Sequence, residues 1–174
     1  MPGAPAAVGP SVTAASADDR VSLTHSLAEK GKPVNSGEAT TSAMVVVSVT
    51  RLRVRSFRLV FPFIWYAVRS TLQAKGSPGN LAVRIRKTRG FAFWTLALWE
   101  SDHAMRAFRV GPPHRDAMRK LPYWCDEASY AHWDHDGQAV LSWQEAAEKL
   151  SASGELSKVL YPSPDQKAGR IVTT

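Results

Sequence analysis

From Met44 onward the chain alternates. One parity runs Val45, Val47, Val49, Arg51, Arg53, Arg55, and the other Met44, Val46, Ser48, Thr50, Leu52, Val54. Successive side chains of a strand point to opposite faces, so residues 44–55 are predicted as a strand apolar on both sides at its start. Its far end places three arginines on one face, and three like charges cannot share a dry interior. They must meet water, acids or an anion. In residues 57–74 the period lengthens: Val60, Phe63, Ile64, Ala67, Val68 and Leu72 fall at helical spacing and predict a helix with one apolar face. Pro62 suits that helix if it lies in the first turn. Gly76-Ser77-Pro78-Gly79 ends it.

Alternation returns in residues 80–88, with Leu81, Val83 and Ile85 set against Ala82, Arg84 and Arg86, and again from Phe91 to Trp99. Arg89-Gly90 between them predicts a hairpin. Phe93, Thr95, Ala97 and Trp99 share one face of the second strand; Ala92, Trp94, Leu96 and Leu98 share the other. Ser101 is a candidate N-cap for a short helix carrying Ala104, Met105, Ala107 and Phe108. Gly111-Pro112-Pro113 interrupts it, and Pro113 opens a second helix with Ala117, Met118 and Leu121 inward, stopped by Pro122. Residues 125–134 alternate as a fourth strand. Ser142 with Glu145 matches a capping box before a helix over 141–151, and the stretch from 152 to 174 has no clear period and reads as a surface arm.

The order β-α-β-β-α-β plus a terminal helix is the ferredoxin-like plan: an α+β domain over 44–151, with a four-stranded antiparallel sheet and helices on one face. The uncovered sheet face carries large apolar side chains, and a second copy of the sheet is the simplest cover, giving a homodimer. Residues 1–43 are rich in Ala, Gly, Pro, Ser and Thr without apolar period, and read as a disordered leader. A start at Met44, with the leader an upstream extension, is one expectation. The leader also lacks the basic start and apolar run of a signal peptide. The longest apolar run, LVFPFIWYAV (59–68), is bracketed by Arg58 and Arg69 and falls short of the roughly 20 residues a membrane span needs. One cysteine allows no internal disulfide, and the expected setting is cytoplasmic.

The formal charge of +7 is unevenly spread. Residues 51–90 hold ten cations and no acid, whereas residues 91–150 hold nine acids and six bases. The basic half admits a solvated rim, an anionic ligand or nucleic acid. The chain shows no RNP motif, zinc-finger spacing or helix-turn-helix, so nucleic acid is the weakest of the three.

Candidate chemistry centres on histidine. His114 stands at a predicted helix start, where the positive dipole end favours neutral imidazole, the form that accepts a proton or binds iron. His132 shares a strand face with Tyr130 and could serve as acid or base. Both could equally be packed, hydrogen-bonded histidines. His132 and His135 lie three apart in a strand and face opposite sides, which argues against a joint metal site. Phe93, Thr95, Trp99 and Tyr130 are candidate ligand contacts, because aromatics interleaved with small residues leave room for a flat apolar molecule. Arg51, Arg53 and Arg84 are candidates for steering an anionic group. Cys125, beside Asp126 and Glu127, reads as structural.

The segments TRLRVRS (50–56), FWTLALWES (93–101), AMRAF (104–108), PHRDAM (113–118), WCDEASYAHW (124–133) and SWQEA (142–146) resemble a bacterial family of small domains related to spheroidene monooxygenase. That family is similar to the antibiotic-biosynthesis monooxygenases of the dimeric α+β barrel superfamily. The resemblance spans residues 44–150. It implies a dimeric barrel and a small monooxygenase-like enzyme acting on an apolar, flat or polyene-like substrate. Haem, with His114 as a ligand, and cofactor-free catalysis both remain open, since the superfamily includes both. The rival readings are a non-catalytic carrier of the same fold and a nucleic-acid-binding regulator.

Overall fold

A computed structural model describes residues 44–139 and 141–173, so the expectations for the 1–43 leader fall outside the described residues. Strand β1 (Met44–Val54) leads into helix α1 (Phe57–Gly76). The hairpin β2 (Asn80–Lys87) and β3 (Ala92–Trp99) follows, then helices α2 (Asp102–Val110) and α3 (His114–Trp124), and strand β4 (Cys125–Asp136). Helix α4 (Trp143–Ser153), a two-residue strand β5 (Glu155–Leu156) and a one-turn helix α5 (Pro164–Lys167) complete the chain. The sheet order is β2-β3-β1-β4-β5, every neighbouring pair antiparallel. The first four strands have the ferredoxin-like order. β5 adds a fifth strand at the β4 edge, so the stretch read from sequence as an arm takes part in the sheet.

The helices of the ferredoxin-like plan lie on one face, as expected, and the terminal helix takes the other. α1, α2 and α3 lie over the face carrying Ser48, Thr95, Trp99 and His132, whereas α4 crosses to the other. There Ala146 and Leu150 pack with Val45, Val47, Val49, Leu96, Leu98 and Ala131 in one core cluster. The capping box predicted from sequence starts that helix: the Ser142 hydroxyl accepts from the Glu145 N–H, and the Glu145 carboxylate accepts from the Ser142 N–H. Leu150 is fully buried, a burial that stabilises by about 2 kcal/mol. The face assigned to a second copy is thus covered within the chain, and it no longer calls for a dimer.

α1 also departs from expectation. Phe63 and Ala74 are buried, but Ile64, Val68 and Leu72, read as inward, face solvent. The helix is apolar on two sides, so spacing alone could not select the inner one. Pro62 sits in the second turn of α1, and Pro122 lies inside α3 instead of ending it.

Candidate functional site

Between the sheet and α1, α2 and α3 lies a cavity of about 520 Å³. Strand register lays out its floor in rows. Ala97, Ser48 and His132 stand side by side across β3, β1 and β4; Thr95, Thr50 and Tyr130 form the next row; Phe93 and Leu52 begin a third. A sheet face packed tightly under helices would be apolar throughout. Here the middle of the floor carries Ser48, Thr50 and Thr95. Phe63 and Ser70 of α1 form part of the roof. Ser70 is more than nine-tenths buried, and its hydroxyl bonds no other group among the described residues. A buried unpartnered hydroxyl in a cavity wall awaits a polar group from a ligand or water.

His114 is the first residue of α3 and is pinned there by α1. The side-chain carbonyl of Gln73 accepts from the His114 backbone N–H at 2.8 Å, while the Gln73 amide donates to the Phe108 carbonyl at 3.0 Å. Gln73 thereby ties the end of α2 to the start of α3. The His114 ring lies against Phe108 at 4.4 Å between centroids, and Phe108 stacks on Trp99 at 5.1 Å. Nδ1 of His114 lies 3.3 Å from the Arg109 carbonyl, which acts only as an acceptor. A proton on Nδ1 leaves Nε2 with the lone pair. Burial pushes the His114 pKa below the usual 6.5; the Arg109 carbonyl opposes this, and the Arg109 charge adds to it.

His132 belongs to the cavity floor, with the Tyr130 ring 5.3 Å from its own. Burial is again the main cause holding its pKa below 6.5, followed by the Arg109 charge; Asp102 and Glu155 pull the other way. Tyr130 donates its hydroxyl proton to Glu155 at 2.7 Å, a bond that raises its pKa. Its ring lines the cavity while its hydroxyl is engaged elsewhere. Two imidazoles favoured as neutral bases therefore face one cavity, with Arg109 acting on both.

Phe93, Thr95 and Trp99 join Tyr130, His114 and His132 in the cavity lining. Arg51, Arg53 and Arg84 do not, and their expected role in anion steering is corrected. Arg51 is 3% exposed and donates to Glu127 at 2.7 Å. Arg53 meets both oxygens of Asp126, at 2.9 and 2.8 Å, and Glu127 at 2.9 Å. The Asp126 hydrogen bonds lead in raising its pKa, partly opposed by burial. Of the fates open to these arginines, acids claimed both. Arg84 donates to the Leu141 carbonyl and lies over Trp143, at the α4 side of the sheet. Arg51 and Arg53, held by carboxylates, are therefore withdrawn from any exposed basic stripe that nucleic acid could meet. Burial and the Asp126 charge push the Cys125 thiol up to about 12, in keeping with a structural residue.

Haem requires an axial donor, and nearby cations pair with its propionates where these are drawn into the protein. His114 could supply the donor, but the arginines expected to steer an anionic group are tied to carboxylates or lie off the cavity. Arg109 and Lys158 are the cations among the lining residues, both exposed. The set offers an iron ligand without buried cations to pair with propionates.

Sequence reasoning missed Ser48, Thr50, Ser70, Gln73 and Arg109. The hydroxyls of Ser48 and Thr50 were visible on the second parity of β1, and Ser70 as a lone polar residue on an apolar helix face. Gln73 and Arg109 left no local signal.

No protein-family model and no curated protein matches the chain. Solved structures share part of its path. A candidate antibiotic biosynthesis monooxygenase from Nitrosomonas europaea has a TM-score of 0.47 at 14% identity, covering 53% of this chain and 89% of that one. A second, from Deinococcus radiodurans, has 0.47 at 15% identity, covering 56% and 97%. SnoaB, a cofactor-independent oxygenase from Streptomyces nogalater, has 0.44 at 18% identity, covering 57% and 98%. These are partial likenesses of chain path, at identities too low to carry chemistry across.

Proposed function

We propose that the protein is a small monooxygenase-like enzyme that binds a flat, apolar, weakly acidic molecule between sheet and helices and oxygenates it without a cofactor. The observation that carries this reading is the pairing of two base-competent histidines with an apolar cavity that also holds hydroxyls. His132 or His114 takes a proton from an activated CH2 group of the substrate. The carbanion passes one electron to O2, and the resulting radical pair joins as a C–O bond. The peroxide takes the proton back from the imidazolium. Loss of the second C–H proton with O–O cleavage then leaves a carbonyl and one water. One CH2 and one O2 thus become one C=O and one H2O. Arg109 stabilises the anionic intermediates, and Ser48, Thr50, Thr95 and Ser70 orient the polar group of the substrate.

The carrier reading is less favoured, because a carrier needs no proton acceptor in its pocket. Oxygen uptake with flat activated methylene compounds such as anthrones tests the proposal. Loss of the histidine that takes the proton, in His114→Gln or in His132→Gln, lowers turnover by about a hundredfold or more. Unchanged turnover in both variants would remove the histidine mechanism.

A further inference from the structure

The outer side of α1 is an apolar feature that the cavity leaves unused. Phe57, Phe61, Ile64, Trp65, Val68 and Leu72 recur at helical spacing and are all exposed, Phe61 at 83%. A stripe of this size on a folded domain marks an interaction surface. Its borders are cationic: Arg58 lies 5.8 Å from the Phe57 ring, Arg69 lies 6.0 Å from the Trp65 ring, and exposed Lys75 stands in the last turn. α1 carries no acid, and neither does the rest of residues 51–90. α3, packed alongside, adds Arg119 and Lys120 against Asp116.

We propose that α1 docks the protein on an anionic lipid surface, lying in the plane of the interface with this stripe inserted. Apolar and aromatic residues bordered by Arg and Lys are the pattern of a helix that lies on a membrane. Trp65 and the two phenylalanines suit the headgroup–acyl boundary, and the cations suit anionic headgroups. Spanning is not available: no described helix is long and apolar enough, and the other side of α1 roofs the cavity. A second copy fits less well. A two-fold pairing of α1 stripes would bring the Arg58 and Arg69 sets of both copies together, with no α1 acid to offset them. The docking stands apart from the reaction proposed above, although a lipid-dissolved apolar ligand would then lie only about 10 Å, one helix diameter, from the cavity.

Cosedimentation of the full chain with phosphatidylcholine vesicles containing about 30 mol % phosphatidylglycerol, against phosphatidylcholine alone, tests this. Binding is expected to be about tenfold or more stronger on the anionic vesicles and to weaken in about 0.5 M salt. Phe61→Gln combined with Trp65→Gln is expected to reduce it by about tenfold or more, with an unchanged unfolding midpoint. Val68→Gln with Leu72→Gln provides an independent second variant. Absence of binding, or binding that both variants retain, would overturn the proposal. So would a dimer, seen by sedimentation, that these substitutions dissociate, because the stripe would then be covered by a second copy.

Discussion

Glu127→Ala tests whether the arginines of β1 are structural. Glu127 is 3% exposed; one oxygen accepts from Arg51 at 2.7 Å, and the other accepts from the Ser163 hydroxyl and pairs with Arg53, each at 2.9 Å. Arg51 is as deeply buried, and its Nε already lacks a partner among the described residues. Removing the carboxylate strands a guanidinium in a dry site, since the nearby Trp94 ring, 6.0 Å away, replaces little of the lost attraction. Breaking a buried pair from one side costs about 3–5 kcal/mol, a large share of the roughly 5–15 kcal/mol that holds a domain. Urea unfolding followed by circular dichroism measures it, and the accompanying fall in Tm is about 10–20 °C. The double variant Arg51→Met/Glu127→Leu removes both charges and recovers most of the loss. A loss below about 1 kcal/mol in Glu127→Ala would refute the structural account and return Arg51 to the pool of ligand-binding cations.

Three further outcomes follow from the site and its supports. His114 and His132 both have pKa values below 6.5, chiefly through burial, so the unfolded chain takes up protons first as pH falls. Stability is therefore full above about pH 6.5, declines below it and levels off beneath the folded-state values; urea midpoints across pH 5–8 should show this slope, diminished in His132→Gln. Gln73→Leu removes both bonds that join α2 to α3, costing about 1–2 kcal/mol, and displaces His114, so turnover falls about tenfold or more; Gln73→Glu, which keeps the acceptor for the His114 N–H, retains more activity. Gly79 has φ of +75°, and an added Cβ would lie 2.7 Å from Cβ of Ala104, so Gly79→Ala costs about 1–3 kcal/mol by chemical denaturation.

The order of elements from β1 to α4 was legible because each followed a local period, whereas β5 and α5 lie in a stretch that has none. The faces of β3 were legible for the same reason: Phe93, Thr95 and Trp99 share a parity, and the cavity lies on their side. Partners distant in sequence were not legible. The arginines of β1 ended opposite Asp126 and Glu127 because β4 pairs with β1, a neighbour relation that no motif states. α4 was visible as a capped helix, yet nothing local said which sheet face it would cover. α1 misled because its apolar residues encircle too much of the helix, and tertiary packing had to select the inward side. The histidines stood out by residue type, whereas Gln73 acts through backbone groups and has no signature.

Anaerobic mixing of the protein with an anthrone at pH 7, followed by ultraviolet–visible spectroscopy and then admission of oxygen, separates the proton abstraction by histidine from the oxygenation that follows it. The wild-type chain should produce the absorption of the bound substrate anion before oxygen is present, and oxygen should then discharge it to the carbonyl product. Thr95→Phe, which fills the cavity floor, should abolish binding, and the His114→Gln/His132→Gln double variant should bind ligand without forming the anion. A ligand that stays protonated when bound to the wild-type chain, or an anion formed equally well without either histidine, would contradict the account.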